Sequence, residues 1–243
     1  MAAPPLRFHS KLAELRGMKP LTEPPPRYQE WLDFCFGRLQ RLGAGADIRD
    51  ERLRHDHIEV TDVELVPLFE VTMRRSGTDL SPFPDEVVGG GLSLILNGDL
   101  SDFGNRIRSA PVAIERKVNA IGALKTLYDD ILTPRAQPLL GHLNEIGHDR
   151  LSGFCYKLWD VTGLAYWSER DEADAVPQAI LEVLEHALLS PNDAVVESGL
   201  HGLGHRASPA RRSAAIARLL ERRPGLRPEL RTYAEAAATG DIL

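Results

Sequence analysis

Apolar positions recur at helical spacing along most of this chain, and Pro, Gly and Asp interrupt them at regular intervals. Over 27–42, Tyr28, Trp31, Leu32, Phe34, Cys35, Phe36, Leu39 and Leu42 form one face, which Gly43-Ala44-Gly45 ends. Residues 47–57 are densely charged and read as a solvated helix or a surface loop. Asp62 is placed to cap a helix over 63–75, with Pro67 inside it predicting a kink or a later start. A further helix runs from Pro84 or Asp85 to Leu96. Its Gly89-Gly90-Gly91 lacks the Lys-Ser/Thr of a phosphate loop and predicts a close helix crossing instead. Helices are then expected over 111–132, 136–146, 151–167, 176–189, 194–205, 209–222 and 227–238. No stretch alternates with period two, so the fold class is all-α.

Composition changes little in this picture. A chain of 243 residues, 43% hydrophobic and 26% charged, has the make-up of a globular protein with a real core. Residues 1–26, ending in Pro24-Pro25-Pro26, read as an extended or poorly ordered arm. Residues 27–243 read as a single helical domain, irregular over 27–109 and more regular over 110–243. No apolar run is long enough to span a bilayer and no secretory leader is evident, so a cytoplasmic protein without a membrane partner is expected. Cys35 and Cys155 lack ligand-type spacing and are expected to be buried free thiols. A net charge of −6 argues against a dedicated nucleic-acid binder.

One segment is more specific. The helix over 176–189 is followed by a turn, Ser190-Pro191-Asn192-Asp193, and then by a helix in which Val195, Gly199, Leu200, Gly202, Leu203 and Gly204 alternate large with small. This hairpin resembles a repeat of the HEAT-like or armadillo type. It departs from the pattern at Val196, where many such repeats carry an arginine. A looser echo covers 113–124. The resemblance implies an α-α superhelix of stacked antiparallel helix pairs, and such superhelices commonly serve as interaction surfaces.

Three constellations could carry function. Glu197, His201 and His205, at i, i+4 and i+8, would line one polar stripe opposite the packed side, as a partner-contacting edge or as ligands to a divalent metal. Trp159, Asp160 and Trp167 could take the parts that alkylpurine DNA glycosylases of similar fold assign to tryptophans and a carboxylate, with Asp160 as the one catalytic candidate. Arg211 and Arg212 belong to a run of eight arginines between 206 and 231 that could meet phosphate or an acidic partner. No nucleophile elbow or cysteine signature marks an enzyme, and no cofactor is implied. The leading expectation is a protein–protein interaction module of adaptor, regulator or immunity type. Nucleic-acid handling and metal binding are the alternatives.

Overall fold

The computed structural model describes residues 18–43, 49, 57–167 and 171–242. Among them the chain is helical, and one isolated antiparallel bridge, Asn97 to Thr162, is its only β pairing. We number the helices α1 (28–42), α2 (Asp62–Arg74), α3 (Asp85–Leu96), α4 (Phe103–Ser109), α5 (114–135), α6 (Arg150–Val161), α7 (Ala175–Ala187), α8 (Asp193–Arg206), α9 (Pro209–Arg222) and α10 (Pro228–Thr239). Their buried side chains form one contiguous cluster that reaches from Tyr28 to Ala237. Among the described residues no helix is long and apolar enough to cross a membrane.

Local chemistry accounts for most boundaries. Thr61 caps α2 rather than Asp62, in a reciprocal box with Glu64. The helix therefore neither starts late nor stops at Pro67, which lies inside it. The predicted crossing at the glycine triplet is present: a Cβ on Gly89 would stand 2.6 Å from the α6 backbone at Arg150, and one on Gly91 would stand 2.2 Å from the Phe36 ring of α1. Both α1 and α5 contain a π-turn, over Asp33–Gly37 and Tyr128–Leu132. Of the N-terminal arm, 18–26 carry no helix and lie along the body, where Leu21 N–H donates to Glu70 and Met18 O accepts from Asn119; the remainder of the arm lies outside the described residues, as does most of 47–57.

Three expectations need correction. The helix expected over 151–167 ends at Val161. The long helix α5 begins at Ile114, not Pro111. The helix expected over 136–146 is absent; a loop with one 3-10 turn, Gly141–Leu143, replaces it. Asn192 explains the break, because its side-chain amide donates to the carbonyls of Thr133 and Ala136 and so closes the C-terminal end of α5. Pro138, and positive φ at Asn144 and Gly147, keep the following residues non-helical.

Helix α8 is the element around which the C-terminal half packs. Its neighbours are α6, α7 and α10, and every residue from Ala194 to Gly204 is buried. Glycine makes this enclosure sterically feasible: a Cβ on Gly199 would stand 2.8 Å from the Leu184 carbonyl oxygen of α7, and one on Gly202 would stand 2.9 Å from Trp159 of α6.

Candidate functional site

Because α8 is buried all round, the stripe of Glu197, His201 and His205 is not an exposed edge. Glu197 is fully buried and His201 is 1% exposed. Only His205, at the last turn, reaches the surface, with 35% of its side chain exposed. The expectation of a solvent-facing ladder is thereby overturned, and the reason is packing: a helix with three glycines admits neighbours on every side, so apolar periodicity no longer marks which face is outside.

The buried polar groups need partners, and three other elements supply them. Glu197 accepts from the backbone N–H of Gly141 at 2.7 Å and of His142 at 3.0 Å, and its Oε1 also meets His142 Nδ1. Its oxygens are thus directed at the 141–142 turn, away from the other two histidines' partners. The His142 ring in turn stacks on Tyr233 of α10, with centroids 4.3 Å apart.

His201 bridges two helices. Its Nε2 is 2.5 Å from Asp160 Oδ1 on α6, and its Nδ1 is 2.5 Å from the Tyr233 hydroxyl. In the neutral imidazole, Nε2–H donates to the carboxylate and Nδ1 accepts from Tyr233. The Tyr156 ring packs edge-on against His201, with centroids 5.1 Å apart. Burial raises the pKa of both tyrosines, so they remain protonated donors. His205 Nε2 stands 3.6 Å from the same Asp160 oxygen. Burial, and next the adjacent His201, depress the His205 pKa, which favours a neutral imidazole with a free lone pair.

Asp160, His201 and His205 thus present one carboxylate oxygen and two ring nitrogens within 4.8 Å of one another. Asp160, held by the sequence reading as a catalytic candidate beside tryptophans, is instead the carboxylate of this cluster. Glu197, held as the third metal candidate, is not part of it. Tyr233, Tyr156 and His142 were missed altogether. Their one sequence-level trace is indirect: a histidine on a helix this rich in small apolar residues must find polar partners somewhere.

The remaining candidates are dispersed. Trp159 is fully buried, and its Nε1–H donates to Tyr128, so its ring is core rather than a platform for a base. Trp167 is half-buried in the wall of a separate cavity. Arg211 pairs with Glu185 at 2.7 Å and with Gln178. Arg212 donates to the carbonyls of Gly204, Ala207, Ala238 and Thr239, satisfying the C-terminal ends of α8 and α10. Arg218, Arg223 and Arg227 pair with Glu185, Asp193 and Glu145. Much of the arginine run is therefore occupied within the fold.

Fold and site together define an all-helical protein with a carboxylate–histidine–tyrosine cluster set between three helices of its C-terminal half. No family model, no curated protein and no solved structure matches the chain. The HEAT-like resemblance therefore stands on residues 176–205 by itself.

Proposed function

We propose that this protein binds a divalent transition metal at Asp160, His201 and His205, in a helical frame whose last helices stack as HEAT-like pairs. The observation that carries the proposal is the approach of one carboxylate oxygen and two ring nitrogens to within 4.8 Å of one another, with the buried ligand held from behind. Two imidazoles and one carboxylate form a donor set suited to zinc, cobalt or iron. Tyr233 holds His201 by the ring nitrogen that would not ligate, the arrangement by which outer-shell groups fix the orientation of a ligating histidine.

Metal entry has a defined structural consequence. Tetrahedral coordination at bond lengths of about 2.0–2.1 Å separates ligand atoms by about 3.3 Å. The 2.5 Å contact between His201 and Asp160 must therefore open, whereas His205 at 3.6 Å is already in range. Asp160 is 38% exposed in the last turn of α6, so the carboxylate is the member free to move. With a metal on Nε2, His201 would carry its proton on Nδ1 and donate it to the Tyr233 hydroxyl oxygen. With three protein ligands and a solvent-facing side, the site leaves a coordination position open, as sites that bind exogenous ligands do.

Loss of the exposed ladder removes the feature on which a docking edge was expected, and burial of Trp159 does the same for base handling. Cobalt(II) uptake decides the metal reading: about one equivalent is expected, with visible d–d absorption of a four- or five-coordinate ion. Asp160→Ala and His205→Ala, both at the solvent side, should weaken uptake about 10–100-fold while leaving the helical signal unchanged. A wild-type chain that retains no cobalt after desalting, and shows no thermal shift with zinc, refutes the proposal.

A further inference from the structure

Resting on the metal reading, we infer that the open position takes an organic oxyanion, with its anionic head on the metal and Arg206 and its apolar body against Tyr166. Arg206 directly follows the ligand His205, and its guanidinium stands 3.4 Å from the carbonyl of Trp159, the residue preceding Asp160. Unlike Arg211, Arg218, Arg223 and Arg227, it forms no ion pair among the described residues, and its Nε is buried without a hydrogen-bond partner. Arg108 on α4 shares both properties.

The two guanidiniums face one aromatic ring. Arg206 lies 5.9 Å and Arg108 6.0 Å from the centroid of Tyr166, which is 70% exposed. Arg108 also donates to the Tyr166 carbonyl at 2.7 Å, fixing the segment that carries the ring. Beyond Tyr166 opens a cavity of about 700 Å³, walled by Arg108, Lys117, Ile114, Leu164 and Trp167. That volume lies within the range of small-molecule sites. Asp171 and Asp174 also line it, so the cavity suits a neutral body and leaves the anionic head to the arginines and the metal. Two guanidiniums without an ion pair among the described residues thus flank an exposed ring, and one of them, Arg206, directly follows His205 and reaches the carbonyl next to Asp160. Arginine supplies the planar fork that matches carboxylate and phosphate oxygens.

The test uses the full chain loaded with cobalt(II) and titrated with phenyl phosphate, benzoate and inorganic phosphate, read by the visible cobalt bands. Phenyl phosphate or benzoate should shift the bands and bind about tenfold more tightly than inorganic phosphate, and whichever of the two binds better names the head group. Arg206→Gln should weaken that binding about tenfold with cobalt affinity unchanged, and Tyr166→Ala should remove the advantage over inorganic phosphate. Cobalt bands that ignore all three anions overturn the inference while leaving the metal site standing, as does wild-type binding by both variants. If no cobalt is retained, the metal reading fails by itself. Calorimetric titration of phenyl phosphate into the metal-free chain then decides the anion site: heat that Arg206→Gln abolishes upholds the arginine–tyrosine platform, and absence of heat refutes it.

Discussion

Placement of His201 between Asp160 and Tyr233 depends on how closely α8 approaches α6 and α7, and a pair of glycine substitutions measures that dependence. Replacing a helical glycine by alanine gains about 1 kcal/mol of helix propensity wherever the methyl group finds room. Gly153 of α6 has that room, since a Cβ there would meet nothing within 4 Å. Gly199 of α8 does not: its Cβ would stand 2.8 Å from the Leu184 carbonyl oxygen and 3.0 Å from Ala187 Cβ, two atoms with no flexible arm to swing aside. Overfilling a packed contact costs about 1–3 kcal/mol, which matches or exceeds the propensity gain.

Gly153→Ala should therefore raise the melting temperature by about 2–4 °C, at about 1 kcal/mol for a chain of this length. Gly199→Ala should fall below it by about 1–3 kcal/mol in chemical denaturation, seen as a shift in midpoint at constant slope. Metal affinity supplies a second axis. Widening the α7–α8 contact moves His201 relative to Asp160, so Gly199→Ala should also weaken cobalt uptake, while Gly153→Ala should not. Equal stability of the two variants, within about 0.5 kcal/mol, would mean that α8 moves freely against its neighbours. In that case the fixed approach invoked to position the cluster does not exist.

Other outcomes follow from single groups. Glu197→Gln replaces one acceptor oxygen by an amide N–H₂, leaves one of the N–H donors of Gly141 and His142 without its acceptor and should destabilise the fold by about 1–3 kcal/mol by chemical denaturation; a change within about 0.5 kcal/mol would show that the carboxylate is not what holds that turn. The Glu145 carboxyl is held down to about 2, chiefly by Arg227 and then by the Leu140 N–H. A depressed carboxylate stabilises above its ordinary pKa of 4.5 and loses that contribution as pH falls toward 2, so the melting-temperature advantage of wild type over Glu145→Gln should shrink across that window. An advantage that persists unchanged to pH 2.5 would contradict the pairing. Burial raises the thiol pKa of Cys35 and pushes Cys155 up to about 12, so neither should react with an aromatic disulfide reagent until denaturant is added, whereas rapid labelling of the folded chain would place a thiol at the surface.

The fold was legible wherever a helix has one wet face. Helices α9 and α10 alternate buried and exposed positions, and the sequence places both to within a few residues. The glycine triplet of α3 was legible for a different reason: three glycines in an apolar helix have few uses besides close approach. The absent helix at 136–146 was not legible, because it ends through Asn192, whose side chain reaches back across 56 residues to the Ala136 carbonyl.

The site failed to declare itself on the same physical grounds. In α8 the small residues that betray the hairpin also remove the distinction between inside and outside on which face assignment depends. Read as a stripe, Glu197, His201 and His205 belong together; in space α8 directs Glu197 to the 141–142 turn and His201 to Asp160 and Tyr233, which lie 41 residues before it and 32 after it. A buried histidine announces that partners exist but not from which element they come. The arginines show the converse. Their sequence run suggests one cationic surface, yet Arg211, Arg223 and Arg227 are neutralised by acidic residues of other helices and loops. What distinguishes Arg206 within the run is a buried Nε that has no hydrogen-bond partner among the described residues, beside the Tyr166 ring, and that property exists only once the chain has folded.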